Sequence, residues 1–198
     1  MDLSILTYDA TEKQRRSAET MANSIKRLVK YLLSYPKVLV AAVNGQAKGL
    51  GVTLLSYFDI VFASDKATFS VETYAKLGQI PEAFASHVFP FHNRGILNEM
   101  LLLGKTITAS EATNAGLVSS VVWPDKFLEE IVPRMELFER MLPLGLKAVK
   151  NSMNSGLKQR LHSNVLDDET KELIKNWTSP NFAKNVREYI KLHHLNFQ

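Results

Sequence analysis

Apolar residues along the first third of the chain follow two different periods. Between Gln14 and Ser34, Met21, Ile25, Leu28, Val29, Leu32 and Leu33 recur at steps of three and four, which predicts an amphipathic helix. Tyr35-Pro36 ends it, because the residue before a proline is driven out of the α region. The pattern then changes. Val38–Val43 is apolar without polar alternation and predicts a strand buried on both faces. Asn44-Gly45 breaks this run, Gly49 and Gly51 bracket a turn, and Val52, Leu54, Leu55 and Phe58 suit one or two buried helical turns. Asp59–Ala63 resumes as a second buried strand. Strand, glycine turn, short helix and strand make a βαβ-like unit, around which the rest of the chain is arranged.

Downstream, Ser70–Ile80 is polar and mixed, predicting a turn region broken by Gly78. Pro81 is expected to open a helix at its first position, with Glu82 in the first turn and a small, apolar, buried stretch from Ala83 to Phe91. Asn98–Leu103 predicts a helical piece ended by Gly104. Thr108-Ala109-Ser110-Glu111 is a capping box, Gly116 closes the helix it starts, and Leu117–Val122 reads as a strand. After a turn at Trp123-Pro124, helices are expected over Phe127–Met141, Pro143–Asn154, Leu157–Trp177 and Ser179–Leu195. Ser179-Pro180 supplies the N-cap and first residue of the last helix. Its stripe of Phe182, Val186, Tyr189, Ile190 and His193 suits docking on the chain's own core or on a second subunit. Met1–Lys13 has no clear period and reads as loop.

Composition narrows the function classes. With 198 residues, 45% hydrophobic and 22% charged, the chain is an ordinary globular domain with room for a sizeable core. The net charge of +4 is compatible with an acidic partner, but lysine and arginine are dispersed and form no block of the kind expected for nucleic acid. The absence of cysteine excludes disulfides, thiolate nucleophiles and zinc–thiolate sites. No uncharged apolar run approaches the ~18 residues of a membrane span. Met1–Ala10 lacks signal- and transit-peptide patterns, and the chain does not end in a Ser-Lys-Leu-type tail. The five histidines lack ligand spacing, so no metal is expected, and no G-x-S-x-G nucleophile elbow occurs. Trp123, Trp177 and the phenylalanines read as core rather than as base-stacking platforms.

The glycine turn carries the chemistry. A glycine-flanked helix start presents unpartnered backbone N–H groups and the positive end of the helix dipole, and its small residues let a carbonyl oxygen come close. Taken alone, Gly49 and Gly51 favour the plainer reading of a tight turn in an α/β core, since a lone G-x-G is common.

They do not stand alone. VNGQAKGLGVTLLSYFDIVFAS (43–64), Ala67-Thr68-Phe69, LGQIPEA (77–83) and NEMLLLGKTITASEATNAGLVSSVV (98–122) together resemble the crotonase (enoyl-CoA hydratase/isomerase) superfamily. The spacing from Phe69 to Pro81-Glu82 is most similar to the peroxisomal-type Δ3,Δ2-enoyl-CoA isomerases. The resemblance implies an α/β fold: a truncated crotonase-like spiral of βαβ units over residues 1–125 and a helical region over 126–198. It implies isomerisation of 3-enoyl-CoA to trans-2-enoyl-CoA in fatty acid β-oxidation, with an acyl-CoA thioester as partner. No cofactor is expected beyond the coenzyme A carried by the substrate. It further implies a homotrimer with no nucleic-acid or membrane partner, in the peroxisome or, alternatively, the mitochondrion.

By the same resemblance Glu82 is the catalytic base, Leu50 gives an oxyanion-hole N–H, and Gly49, Gly51 and Pro81 bind substrate. On physics alone, Glu82 reads first as an acid stabilising a helix start; the match of Leu77-Gly78-Gln79 and Pro81-Glu82 to the family turns that reading to a base. Glu72 is the alternative base, set against the reading of a solvated loop carboxylate. Thr53 stands where hydratases carry a glutamate, which argues against enoyl-CoA hydratase, the second alternative. Ala83, where the family often has glycine, and Lys48, in the loop facing the ligand, are departures. Met1-Asp2-Leu3 resembles the end of the family's first oxyanion loop. The expectation is therefore a chain lacking the first part of the sheet and one of two oxyanion amides, and hence a weakened enzyme. The first alternative is a non-catalytic acyl-CoA-binding or oligomerisation module of the chromodomain Y-like type.

Overall fold

The computed structural model describes residues 6, 11–89 and 94–192. Helix α1 (Thr11–Ser34) takes in Thr11–Lys13, expected as loop, and buries Ala18, Ala22, Ile25 and Val29 along one face. Strand β1 (Val40–Val43) leads into β2 (Gln46–Lys48), a three-residue strand that periodicity does not reveal. Then come α2 (Leu50–Thr53), a 3-10 turn (Leu54–Tyr57), β3 (Ile60–Ser64) and β4 (Thr68–Ser70). Short helices α3 (Glu72–Leu77), α4 (Ala85–Val88) and α5 (Arg94–Leu102) precede β5 (Ile107–Thr108), α6 (Ala109–Asn114) and β6 (Ser120–Val122).

The strands form two three-stranded sheets. In one, β1, β3 and β6 run parallel, with Val40 opposite Ile60 and Phe62 opposite Ser120. In the other, β2 pairs with β4 in parallel and β4 with β5 antiparallel. The chain passes from the first sheet to the second, crosses a short helix, and repeats the move one strand over. This is the βαβ spiral expected from the glycine-turn stretch. The capping box is present, with the Thr108 hydroxyl accepting from the Glu111 amide and the Glu111 carboxylate from the Thr108 amide.

Several further expectations need correction. Strand β1 is not buried on both faces: Ala41 alone is buried and Ala42 is exposed, because β1 is the edge of its sheet among the described residues. Burial falls instead on the central strand β3, where Val61–Ser64 are all buried. The polar segment after Ser70 is not a turn but α3, held by the buried Tyr74 and Leu77 and ended by Gly78 in the left-handed conformation. Pro81 does not open a helix, since Ala83 and Phe84 both have φ of 57°, which a right-handed helix excludes; α4 begins only at Ala85. Trp123 is 70% exposed rather than core, its ring lying beyond the end of β6.

The remaining correction lies in the C-terminal helices, α7 (Phe127–Glu136), α8 (Pro143–Met153), α9 (Ser155–Arg160), α10 (Ser163–Trp177) and α11 (Pro180–Leu192). The expected helix Leu157–Trp177 is broken where Leu161 turns into the core and His162 is extended. Ser179 caps α11 by accepting from the Phe182 amide at 3.2 Å; the expected final turn beyond 192 lies outside the described residues.

Two clusters make most of the core. Val52, Leu55, Val61, Phe69, Met100 and Ile107 fill the space around the sheets. Ile25, Val29, Leu173, Trp177 and Phe182 join α1, α10 and α11 to Tyr57, Ala83 and Phe84. Burying each such large side chain stabilises the fold by roughly 1.5–3 kcal/mol. A buried lysine ties α8 to the start of the parallel sheet: Lys150 Nζ lies 2.6 Å from Asp59 Oδ2 and 2.7 Å from the Lys37 carbonyl. Asp59 Oδ2 also accepts from the Leu39 amide at 2.7 Å. Among the described residues no helix is long and apolar enough to cross a membrane.

Candidate active site

A cleft of about 280 Å³ opens where the glycine turn meets the segment after α3, lined by Lys48, Gly49, Leu50, Gly51, Thr73, Gln79 and Glu82. The turn is shaped by β2 and α2. Gly49 donates to the Ser70 carbonyl at 2.8 Å, continuing the β2–β4 ladder, and its own carbonyl accepts from Val52 and Thr53. Its φ of 51° and ψ of −124° lie where a Cβ is strained, so glycine is required. The amides of Leu50 and Gly51, the first of the helix, meet no acceptor among the described residues. A Cβ built on Gly51 would meet nothing within 4 Å. The space beside it therefore belongs to the cleft.

Across the cleft sits Glu82, only 1% exposed. Burial pushes its carboxyl up to about 7, against the opposing pull of its own backbone amide, Tyr74 and Gln79. Gln79 Nε2 donates to Glu82 Oε2, while Gln79 Oε1 is buried with no partner. The Tyr74 hydroxyl meets no partner in hydrogen-bonding geometry, yet lies close enough to Glu82 for that carboxylate to add to burial in raising it.

The backbone that presents Glu82 is strained. Ala83 and Phe84 are consecutive non-glycine residues in the left-handed region, at roughly 1–2 kcal/mol each. Two hydrogen bonds from distant elements hold them. Tyr57 donates its hydroxyl to the Ala83 carbonyl at 2.7 Å, and the Phe84 amide donates to Glu169 Oε1 of α10 at 2.7 Å. Burial and the Glu82 charge push the Glu169 carboxyl up to about 7, and burial with Glu169 raises Tyr57.

Glu82, Leu50, Gly49 and Gly51 thus come together in one cleft. Pro81 leads into Glu82 but does not line it. Glu72 stands at the first position of α3 in an ion pair with Lys76 at 2.7 Å, outside the cleft lining. The buried Thr53 turns its hydroxyl to the Leu50 carbonyl at 3.1 Å. Sequence reasoning assigned no role to Gln79, although it stands three residues before Glu82, and it missed Tyr74 and Glu169. Glu169 lies 85 residues from the amide it holds, and in the sequence it is one acid within Asp167-Asp168-Glu169.

The profile of the enoyl-CoA hydratase/isomerase family matches residues 6–197. The chain is 36% identical over 190 residues to the mouse protein named enoyl-CoA delta isomerase 3, peroxisomal, covering 96% of this chain and 59% of that one. It is 33% identical over 182 residues to rat chromodomain Y-like protein, covering 91% of this chain and 31% of that one. The chain thus spans well under two thirds of the length of these relatives. The crystal structure of enoyl-CoA hydratase from Bacillus halodurans superimposes with a TM-score of 0.81 at 25% identity, over 94% of this chain and 73% of that one. The spiral of paired strands, the glycine turn and the matched span agree, and the chain belongs to the enoyl-CoA hydratase/isomerase (crotonase) family.

Proposed function

We propose that the chain is an enoyl-CoA isomerase that converts 3-enoyl-CoA to trans-2-enoyl-CoA, with Glu82 carrying the proton. The observation that supports this is the single carboxylate of the cleft lining, buried opposite two unpartnered amides. In this reading ionised Glu82 takes a proton from C2 of the substrate. The electron pair left behind is delocalised onto the thioester oxygen, and the Leu50 amide stabilises the charge that develops there. Protonated Glu82 then returns the proton to C4, the electron pair moves to the C2–C3 bond, and the carboxylate is regenerated. A carboxyl held near 7 gains and gives up a proton with little bias at neutral pH, as both half-reactions require. Hydration uses a pair of carboxylates to position and activate water; Thr53 stands where the second is expected and its hydroxyl is engaged with backbone.

The acyl-CoA brings its own coenzyme, so the reaction needs no further cofactor. A peroxisomal location is inferred from the mouse relative's name, a role in β-oxidation and a homotrimer from the family resemblance, and the exposed apolar residues of α7 and α8 suit association of copies. The test is incubation of the purified chain with a 3-enoyl-CoA, with products separated by mass and chromatography. Conjugated 2-enoyl-CoA without a 3-hydroxyacyl product is expected, and none from Glu82→Gln. A 3-hydroxyacyl product would make the chain a hydratase. Saturable acyl-CoA binding without turnover would assign it to the non-catalytic class instead.

A further inference from the structure

The turn that presents Glu82 is held from outside the cleft, and its distant anchor is a carboxylate the cleft itself does not use. We propose that Glu169 of α10 is a positioning residue for the base: by accepting from the Phe84 amide it fixes the left-handed Ala83-Phe84 turn that aims Glu82 into the cleft, and it places a second carboxylate within electrostatic reach of the base. The proposal rests on the isomerase reading of Glu82.

Three observations carry it. Glu169 Oε1 accepts from an amide only two residues beyond Glu82, at 2.7 Å. That amide belongs to the second of two adjacent residues with φ of 57°, a conformation that persists only where the surroundings impose it. The first of the two is held by Tyr57 through its carbonyl, so the turn is gripped on both faces. Packing alone would fix the ring of Phe84 but not the direction of its amide.

Glu169 also faces titrating groups. Tyr57 of the 3-10 turn and Tyr74 of α3 are raised in part by its charge, and Glu82 raises Glu169 in turn. Three cations of the packed helices act on other carboxylates. Lys26 of α1 lies on Asp167, toward which Lys30 also acts, and Lys184 of α11 pairs with Glu188. Burial is the first cause of the raised Glu82 value, and the charge of Glu82 adds to burial in raising Glu169; because a charge–charge interaction is mutual, removing the Glu169 charge should ease ionisation of Glu82.

Glu169→Ala and Glu169→Gln separate the two roles. The side-chain amide introduced by Glu169→Gln keeps an oxygen that can accept from Phe84, but it carries no charge. Glu169→Ala is expected to lower kcat about 10- to 100-fold with KM within about two-fold, the signature of a displaced base. Glu169→Gln is expected to restore most of that loss and to move the acid limb of the kcat profile to lower pH. Carbon-13 NMR of labelled glutamate, with Glu82 assigned through Glu82→Gln, reads the same coupling without turnover. The wild type should give two interacting titrations, and Glu169→Gln a single Glu82 titration with a lower midpoint than the upper of the two. A folded Glu169→Ala with wild-type kcat overturns the positioning role. An unchanged Glu82 titration in Glu169→Gln overturns the electrostatic one, and decides the matter alone if Glu169→Ala does not fold. If the wild type never isomerises 3-enoyl-CoA, the isomerase reading falls, while the NMR titration still tests the link between the two carboxyls.

Discussion

A carboxyl that titrates near 7 inside the protein and near 4.5 outside it makes stability depend on pH. Because burial raises the folded value of Glu82, its contribution is fully favourable below about 4.5 and is lost as pH rises through about 7. The ionised side chain then costs up to roughly 3 kcal/mol. Glu82→Gln is therefore expected to flatten the fall in stability between pH 5 and pH 8 by up to that amount, measured by urea denaturation at both pH values, while isomerase turnover disappears. A second prediction concerns Ala83, where relief of the left-handed Cβ, roughly 1–2 kcal/mol, opposes the extra chain entropy of glycine, roughly 0.5–1 kcal/mol. Ala83→Gly should leave the thermal midpoint unchanged or raise it, whereas at the helical, buried Ala112 the same change should lower it. Gly49, Leu50 and Glu82 were legible in the sequence because their motif is local. The strain at Ala83-Phe84 was not, because it depends on Tyr57 and Glu169, 26 and 85 residues from their partners.

Among the elements, those with a local cause were legible and those with a tertiary cause were not. The capping box marks the start of α6, Ser179 that of α11, and the period of three and four the body of α1, though not its first three residues. Strand β2 is three residues long, too short for a period, and exists because β4 pairs with it. Helix α3 is built largely of good helix formers, Glu72, Ala75, Lys76 and Leu77, and buries Tyr74 and Leu77; six residues of mixed polarity are too short to show a helical period. Attachment of α8 to the sheet likewise depends on one lysine that composition does not single out. Lys150 is 7% exposed and satisfies both Asp59 and the Lys37 carbonyl. Lys150→Met removes the cation but leaves the carboxylate, and is expected to cost about 2–3 kcal/mol by chemical denaturation, below the full figure for a buried pair because Asp59 is partly solvated. Adding Asp59→Asn should recover part of that loss, since the stranded charge is then gone.

Across the whole molecule, apolar surface is distributed unevenly. Leu128, Val132, Leu137, Leu142, Leu144 and Val149, on and between α7 and α8, are at least half exposed, whereas α10 and α11 bury Leu166, Leu173, Trp177, Phe182 and Val186 and expose only Leu192 at the described end of α11. A surface with this many exposed large apolar side chains on two consecutive helices favours self-association. Light scattering at micromolar concentration is expected to give a mass above that of the single 22.3 kDa chain. The double change Leu142→Lys with Leu144→Lys should bring it down to that of one chain without lowering helix content. A monomeric wild type at that concentration would contradict the expectation. The family resemblance, carried by local motifs, made the spiral legible; which helix faces stay uncovered follows from the assembled molecule.

The opposite surroundings of the two tryptophans give the protein a built-in pair of optical reporters. Trp177 is fully enclosed at the end of the helix that carries Glu169, while the ring of Trp123 stands in solvent. Fluorescence should therefore contain a blue-shifted component that iodide does not quench and a red-shifted one that it does. Undocking of α10 would extinguish the first without altering the second. Association across the Trp123 side would shield the second and leave the first unchanged, so one emission spectrum, resolved by quenching, follows the anchor of the base and the state of assembly separately.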